Sequence, residues 1–210
     1  MSPAGGSLFL LGLACGFACL PLTAYARTSP LWVRWLLISS GAFTALRYAA
    51  LARAVLGGPV PQLDLGRLWV GSMIGLNLPS VFAVDALIRH PAMTPKKLLL
   101  RFSPFLAADA VLLAVGHDGN LWRMLAITVQ AVFAAGFAGL CLLLIQQIPV
   151  PAIRIALWIL AASHVSLGVV GVLPVVQRWS VEEPFLVPEM LTLLAIWFTF
   201  QTAERLQASS

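Results

Sequence analysis

Residues 121–145 read LWRMLAITVQAVFAAGFAGLCLLLI, with a single charge, Arg123, in the whole stretch. At a helical rise of ~1.5 Å per residue, such a run outreaches the ~30 Å hydrocarbon core of a bilayer. A membrane β-strand would instead alternate apolar and polar residues over segments of ~10 residues. Leu140 to Ile145 is apolar without interruption, so the helix reading wins.

The same kind of block recurs on both sides. Apolar runs cover about Ser7–Ala26, Leu31–Leu56, Leu68–Ile88, Leu98–Val115, Leu121–Ile145, Ala152–Val176 and Phe185–Ala203. Breakers separate them: Arg27-Thr28-Ser29-Pro30, Gly57-Gly58-Pro59, Arg89-His90-Pro91, Gly116-His117-Asp118-Gly119 and Pro149-Val150-Pro151. The pattern predicts an all-α, polytopic membrane bundle of seven spans, forming one domain over residues 1–210. The composition agrees, with 60% hydrophobic and 10% charged residues in a chain of 210. A soluble domain does not carry so much apolar sequence. The first block is long enough to span and lacks a basic leader, so it reads as a retained helix.

Basic residues set the expected orientation. Arg27, Arg34, Arg89, Lys96, Lys97, Arg101, Arg154 and Arg205 fall on one side; Arg53, Arg67, Arg123 and Arg178 fall on the other. The richer side is expected to be cytoplasmic, which puts the N-terminus outside and the C-terminus inside a cytoplasmic membrane. The net charge of +5 then points to anionic lipid headgroups rather than nucleic acid. Trp32, Trp35, Trp69, Trp122 and Trp179 lie near span ends, where an amphipathic ring prefers the interface. Small residues recur four apart at Gly12 and Gly16, at Gly71 and Gly75, and at Ala131, Ala135 and Gly139. Such stripes let helices approach closely within the bundle, or across a homodimer face.

Charges within spans are costly and face a bundle interior. Counting the helical rise from the inner ends puts Asn77, Asp109 and His164 at ~16–18 Å, Glu189 at ~21 Å and Arg47 at ~24 Å. Asp85 and Arg101 come out at ~5 Å, as an inner ion pair. Two readings of the upper layer stay open. In one, Arg47 pairs with Asp109 or Glu189 and the layer only fixes helix order. In the other, Arg47, Asn77, Asp109, His164 and Glu189 line a polar pocket that binds a small ligand or passes protons. Pro79 is expected to kink the third span, with Asn77 free to satisfy the released backbone.

Several chemistries are argued against. Lys96 and Lys97 are the only lysines and lie at a loop, so no retinal Schiff base is expected. His90, His117 and His164 fall at different depths, so no haem pair forms. Cys15, Cys19 and Cys141 have no metal spacing. Glu182 and Glu183 lack the further groups a membrane protease needs. No catalytic residue, metal or cofactor is assigned.

Residues 67–115 carry a likeness. A span with a kinked Leu78-Pro79 ends in a basic loop from Arg89 to Lys97, and the next opens with Arg101-Phe102-Ser103-Pro104; the following one begins with Trp122 and includes Gln130. This resembles the seven-helix membrane sensor regions of bacterial AraC-type regulators and histidine kinases. The resemblance implies a ligand sensor with no activity of its own. The chain ends at Gln207-Ala208-Ser209-Ser210 with no output domain expected, so signalling would need a separate cytoplasmic protein partner. A small transporter, a proton-linked permease and an accessory subunit of a membrane complex remain as alternatives.

Overall fold

A computed structural model of the chain describes Trp35 and residues 65–88, 95–115, 120–172 and 186–208. Among these residues it is all-helical, with α1 Leu65–Ile88, α2 Pro95–Val115, α3 Asn120–Gln147, α4 Pro151–Val172 and α5 Leu186–Ala208. These helices fall on the third to seventh expected spans. The first two spans lie outside the described residues, Trp35 apart. So do the last residues of the sixth span, with Pro174.

The helix ends differ from expectation for local reasons. α2 opens on Pro95, because proline at the first helical position lacks only an N–H that would be unpaired anyway. Lys96 and Lys97 therefore belong to the helix rather than to a loop, and both are exposed. α5 runs on to Ala208. Its last residues are good helix formers, and Arg205 in the final turn complements the helix dipole. Glu189 does the same in the first turn.

The helices close a ring: α1 packs on α2, α2 on α3, α3 on α4, α4 on α5 and α5 back on α1. α1 also touches α3 and α4. The side chains of α1 described from Val70 to Leu87 are nearly all buried, with Met73, Leu76, Leu78, Phe82, Ala83 and Val84 in the core. The other helices turn apolar side chains outward. Leu100 and Val111 on α2, Val132 and Leu143 on α3, Trp158 and Val165 on α4, and Leu194 on α5 are all exposed. Meanwhile Asn77, Ser80, Asp85, Asp109, Gln130, His164, Glu189 and Thr199 are buried. The described residues thus expose many apolar side chains and bury polar ones at points in the core, the reverse of a water-soluble bundle. Two stretches, Met124–Gln147 and Pro151–Val170, are long and apolar enough to cross a membrane, and Met73–Ile88 is a shorter apolar stretch.

α3 and α4 share the most extensive contact and are joined by Ile148–Val150 alone. Their packing uses small residues, among them Ala131 of the anticipated stripe. Gly168 lies over Ala131 and Ala134; a Cβ at 168 would meet the Ala134 Cβ at 3.3 Å. A Cβ at Gly139, the last member of that stripe, or at Gly136 would meet nothing within 4 Å.

Trp122 is a correction. It is buried rather than at a lipid interface, and its Nε1 donates to the Leu112 carbonyl at 3.1 Å. The indole's one donor is satisfied by the helix beside it, which ties the start of α3 to the end of α2.

Candidate functional site

α2 and α3 run antiparallel, and their contacts form layers. Phe102 lies 5.2 Å from Phe133 and 5.9 Å from Phe137 between ring centroids, and Phe105 lies 5.8 Å from Phe133, edge-on. Asp109 is one turn beyond Phe105, and Gln130 is one turn before Phe133. The next layer along is the Trp122 to Leu112 bond. A polar layer therefore sits between a phenylalanine layer and a tryptophan plug.

That polar layer is built by three helices. Asn77 Nδ2 of α1 donates to Gln130 Oε1 of α3 at 2.9 Å, and Gln130 Nε2 donates back to Asn77 Oδ1 at 3.2 Å. Each amide thus uses one donor and one acceptor on the other. Asn77 also hydrogen-bonds the carboxyl of Asp109 from α2. Asp109 is only 3% exposed, and its Oδ2 has no hydrogen-bond partner. An orphaned buried acceptor costs ~1–3 kcal/mol, so this atom is where the layer is incomplete.

Asn77 does not serve the backbone freed by Pro79, as the sequence suggests. Its side chain is committed to Gln130 and Asp109. The Ser80 hydroxyl instead donates to the Leu76 carbonyl at 2.7 Å, within the same turn.

His164 of α4 joins at the phenylalanine layer. Its ring lies 4.3 Å from Phe137 and 6.1 Å from Phe133, and it is fully buried. Its Nδ1 sits 3.0 Å from the Leu160 carbonyl, and its Nε2 has no partner. A carbonyl oxygen only accepts, so the ring proton belongs on Nδ1. In the neutral ring Nε2 is then a bare lone pair. Gln130 and the two phenylalanines share the buried face of α3, so His164 stands ~4.5–10 Å along α3 from the amide pair.

The remaining expected residues are placed as follows. Glu189 is fully buried in the first turn of α5, where Thr192, one turn on, donates to the Pro188 carbonyl at 2.9 Å and reaches the Ser163 carbonyl at 3.5 Å. This brings the start of α5 beside the residue that precedes His164. Asp85 is buried near the end of α1, while Arg101 is exposed on α2. Their pairing stays an expectation. Arg47 lies outside the described residues.

Gln130 is the member of the layer that sequence reasoning did not select. Its signal was present: it is the one amide in the apolar run Leu121–Ile145. Among the described residues no three His, Cys, Asp or Glu side chains come together as a metal centre. Cys141 is buried as a free thiol. Set against family models, curated proteins and solved structures, the chain matches none.

Proposed function

We propose that the chain is a multi-pass protein of the cytoplasmic membrane that binds a small ligand in its polar layer. It reports occupancy to a cytoplasmic protein partner, in the manner of the sensor regions it resembles. Seven spans, an outer N-terminus and an inner C-terminus complete this reading. One observation carries the binding function: two fully or nearly fully buried acceptors, Asp109 Oδ2 and His164 Nε2, lack partners inside a bundle that is apolar outside. Structural polar networks in lipid satisfy their own members. Two unpartnered polar atoms, one in the amide layer and one at the phenylalanine layer, are suited to being completed by something else. In the expected orientation the tryptophan plug lies on the outer side of the polar layer, so the ligand would enter from outside, past Trp122.

The test is a titration of the reconstituted chain with small polar solutes, followed by tryptophan fluorescence. The parent should respond saturably to at least one solute. Asp109→Asn should respond to none while keeping the parent's yield and melting temperature. An unresponsive parent, or a variant that responds like the parent, would overturn the reading. Topology is checked separately: Lys96→Cys should be labelled only from the cytoplasmic side.

A further inference from the structure

The exposed side of α2 is ordered along its length. Lys97, Leu100, Pro104, Ala107 and Val111 follow one another at three- and four-residue spacing and are all exposed, so they form one outward stripe. Lys96 and Arg101, also exposed, flank its start. Three cations therefore surround Leu100, itself 73% exposed, within ~8 Å along the helix. Beyond them the stripe is apolar to the end of α2, where Ala114 and Val115 are exposed too.

The cationic group is unfavourable as it stands. Lys97 and Arg101 are one turn apart, and like charges at that spacing repel. Lys96 and Lys97 occupy the first turn of α2, which holds no acidic residue, so they oppose the helix dipole. α5 is arranged the other way, with Glu189 in its first turn and Arg205 in its last. Asp85, buried near the end of α1, is the carboxylate expected to pair with Arg101. One carboxylate against three cations still leaves an excess of positive charge, which an anion would relieve.

The position of the cluster selects the anion. An acidic protein docking from the cytoplasm would meet the end of the bundle. These cations instead share a side face with Leu100 and Pro104, at the rim of an apolar surface. In a bilayer, headgroups lie at that rim and acyl chains beside the apolar stripe. We infer that the outward face of α2 holds an anionic phospholipid, its phosphate against Lys96, Lys97 and Arg101 and an acyl chain along Pro104, Ala107 and Val111. This rests on the membrane reading above and names a lipid partner. Arg154 and Arg205 are exposed as well, but each is the single described cation of its helix, so the preference belongs to α2.

The experiment takes the full chain in detergent micelles, titrates in phosphatidylglycerol or phosphatidylcholine, and counts bound lipids and chains by native mass spectrometry. The parent should prefer phosphatidylglycerol, and less so at high salt. Each basic residue near a bilayer surface adds about fivefold in affinity for anionic lipid. Lys96→Gln, Lys97→Gln and Arg101→Gln together should therefore weaken phosphatidylglycerol about a hundredfold. Arg154→Gln should leave the preference in place, and so should the charge-keeping pair Lys97→Arg and Arg101→Lys.

Equal binding of the two lipids by the parent would overturn the inference. A triple variant that keeps the preference would do the same and leave the cations to a cytoplasmic protein. Arg154→Gln losing as much as the triple variant would replace a site on α2 by diffuse charge. A dimer that holds no phosphatidylglycerol would put a second copy on this face instead. If the triple variant does not fold, the parent's preference and its loss at high salt decide alone. Alkaline carbonate extraction separates the two levels: a chain washed from membranes sinks the membrane reading as well, whereas a chain that stays and shows no preference sinks only the lipid site.

Discussion

α1 and α4 differ in length by two residues, 24 against 22, yet they meet opposite surroundings. α4 is apolar enough to cross a membrane by its sequence, and it turns Ile155, Trp158, Ile159, Val165 and Val169 outward. In α1 only Met73–Ile88 reads as strongly apolar, and nearly every side chain described there is buried. α1 also carries Asn77, Pro79, Ser80 and Asp85. Of these two helices the more apolar one is the more exposed, and burial accompanies polarity. In water the correlation runs the other way. Helices that gain nothing by hiding apolar surface from lipid associate instead through close packing and hydrogen bonds.

The comparison can be broken most sharply on α4. Ile159→Asp puts a carboxylate on its outward face. In lipid this should cost ~2.5–3.5 kcal/mol in insertion, read as loss of the chain from the membrane fraction. If α4 faces water, the change will be close to neutral. On α1, Asn77→Leu strips the partner from Gln130 and from Asp109, at a cost of ~2–3 kcal/mol in unfolding. Adding Gln130→Leu should recover part of that loss, because replacing both partners of a buried pair is far cheaper than replacing one. Failure of the double variant to recover would mean that the amide pair is not what holds α1 to α3. The smallest contrast compares two glycines. Gly168→Val pushes against Ala134 and Ala131 and should destabilise the bundle by ~1–3 kcal/mol. Gly136→Ala meets open space and should stabilise α3 by up to ~1 kcal/mol through helix propensity.

The helices were legible because their cause is local. Apolar runs of spanning length, broken by Gly and Pro, locate five helices to within a few residues. Where the reading slipped, at Pro95 and at the end of α5, capping and propensity outweighed hydropathy. The site was legible only in part. Depth counting along single helices placed Asn77 and Asp109 at one level, and they do meet. It could not pair α2 with α3, because that register is set by Phe102, Phe105, Phe133 and Phe137 packing across the two helices. Gln130 was therefore missed, and Trp122 was given to the lipid interface. The open nitrogen of His164 depends on a carbonyl one turn away, and no residue pattern announces that.

The order of synthesis now matters. Asn77 and Asp109 leave the ribosome before Gln130 does, so for a time α1 and α2 hold polar groups whose amide partner is still unmade. Ile148–Val150 shortens the rest of that interval. A link this brief costs little closure entropy, so α4 settles on α3 almost as soon as it emerges, and His164 arrives with Gln130 already at hand. The polar layer is completed with α3, and the phenylalanine layer gains His164 shortly afterwards.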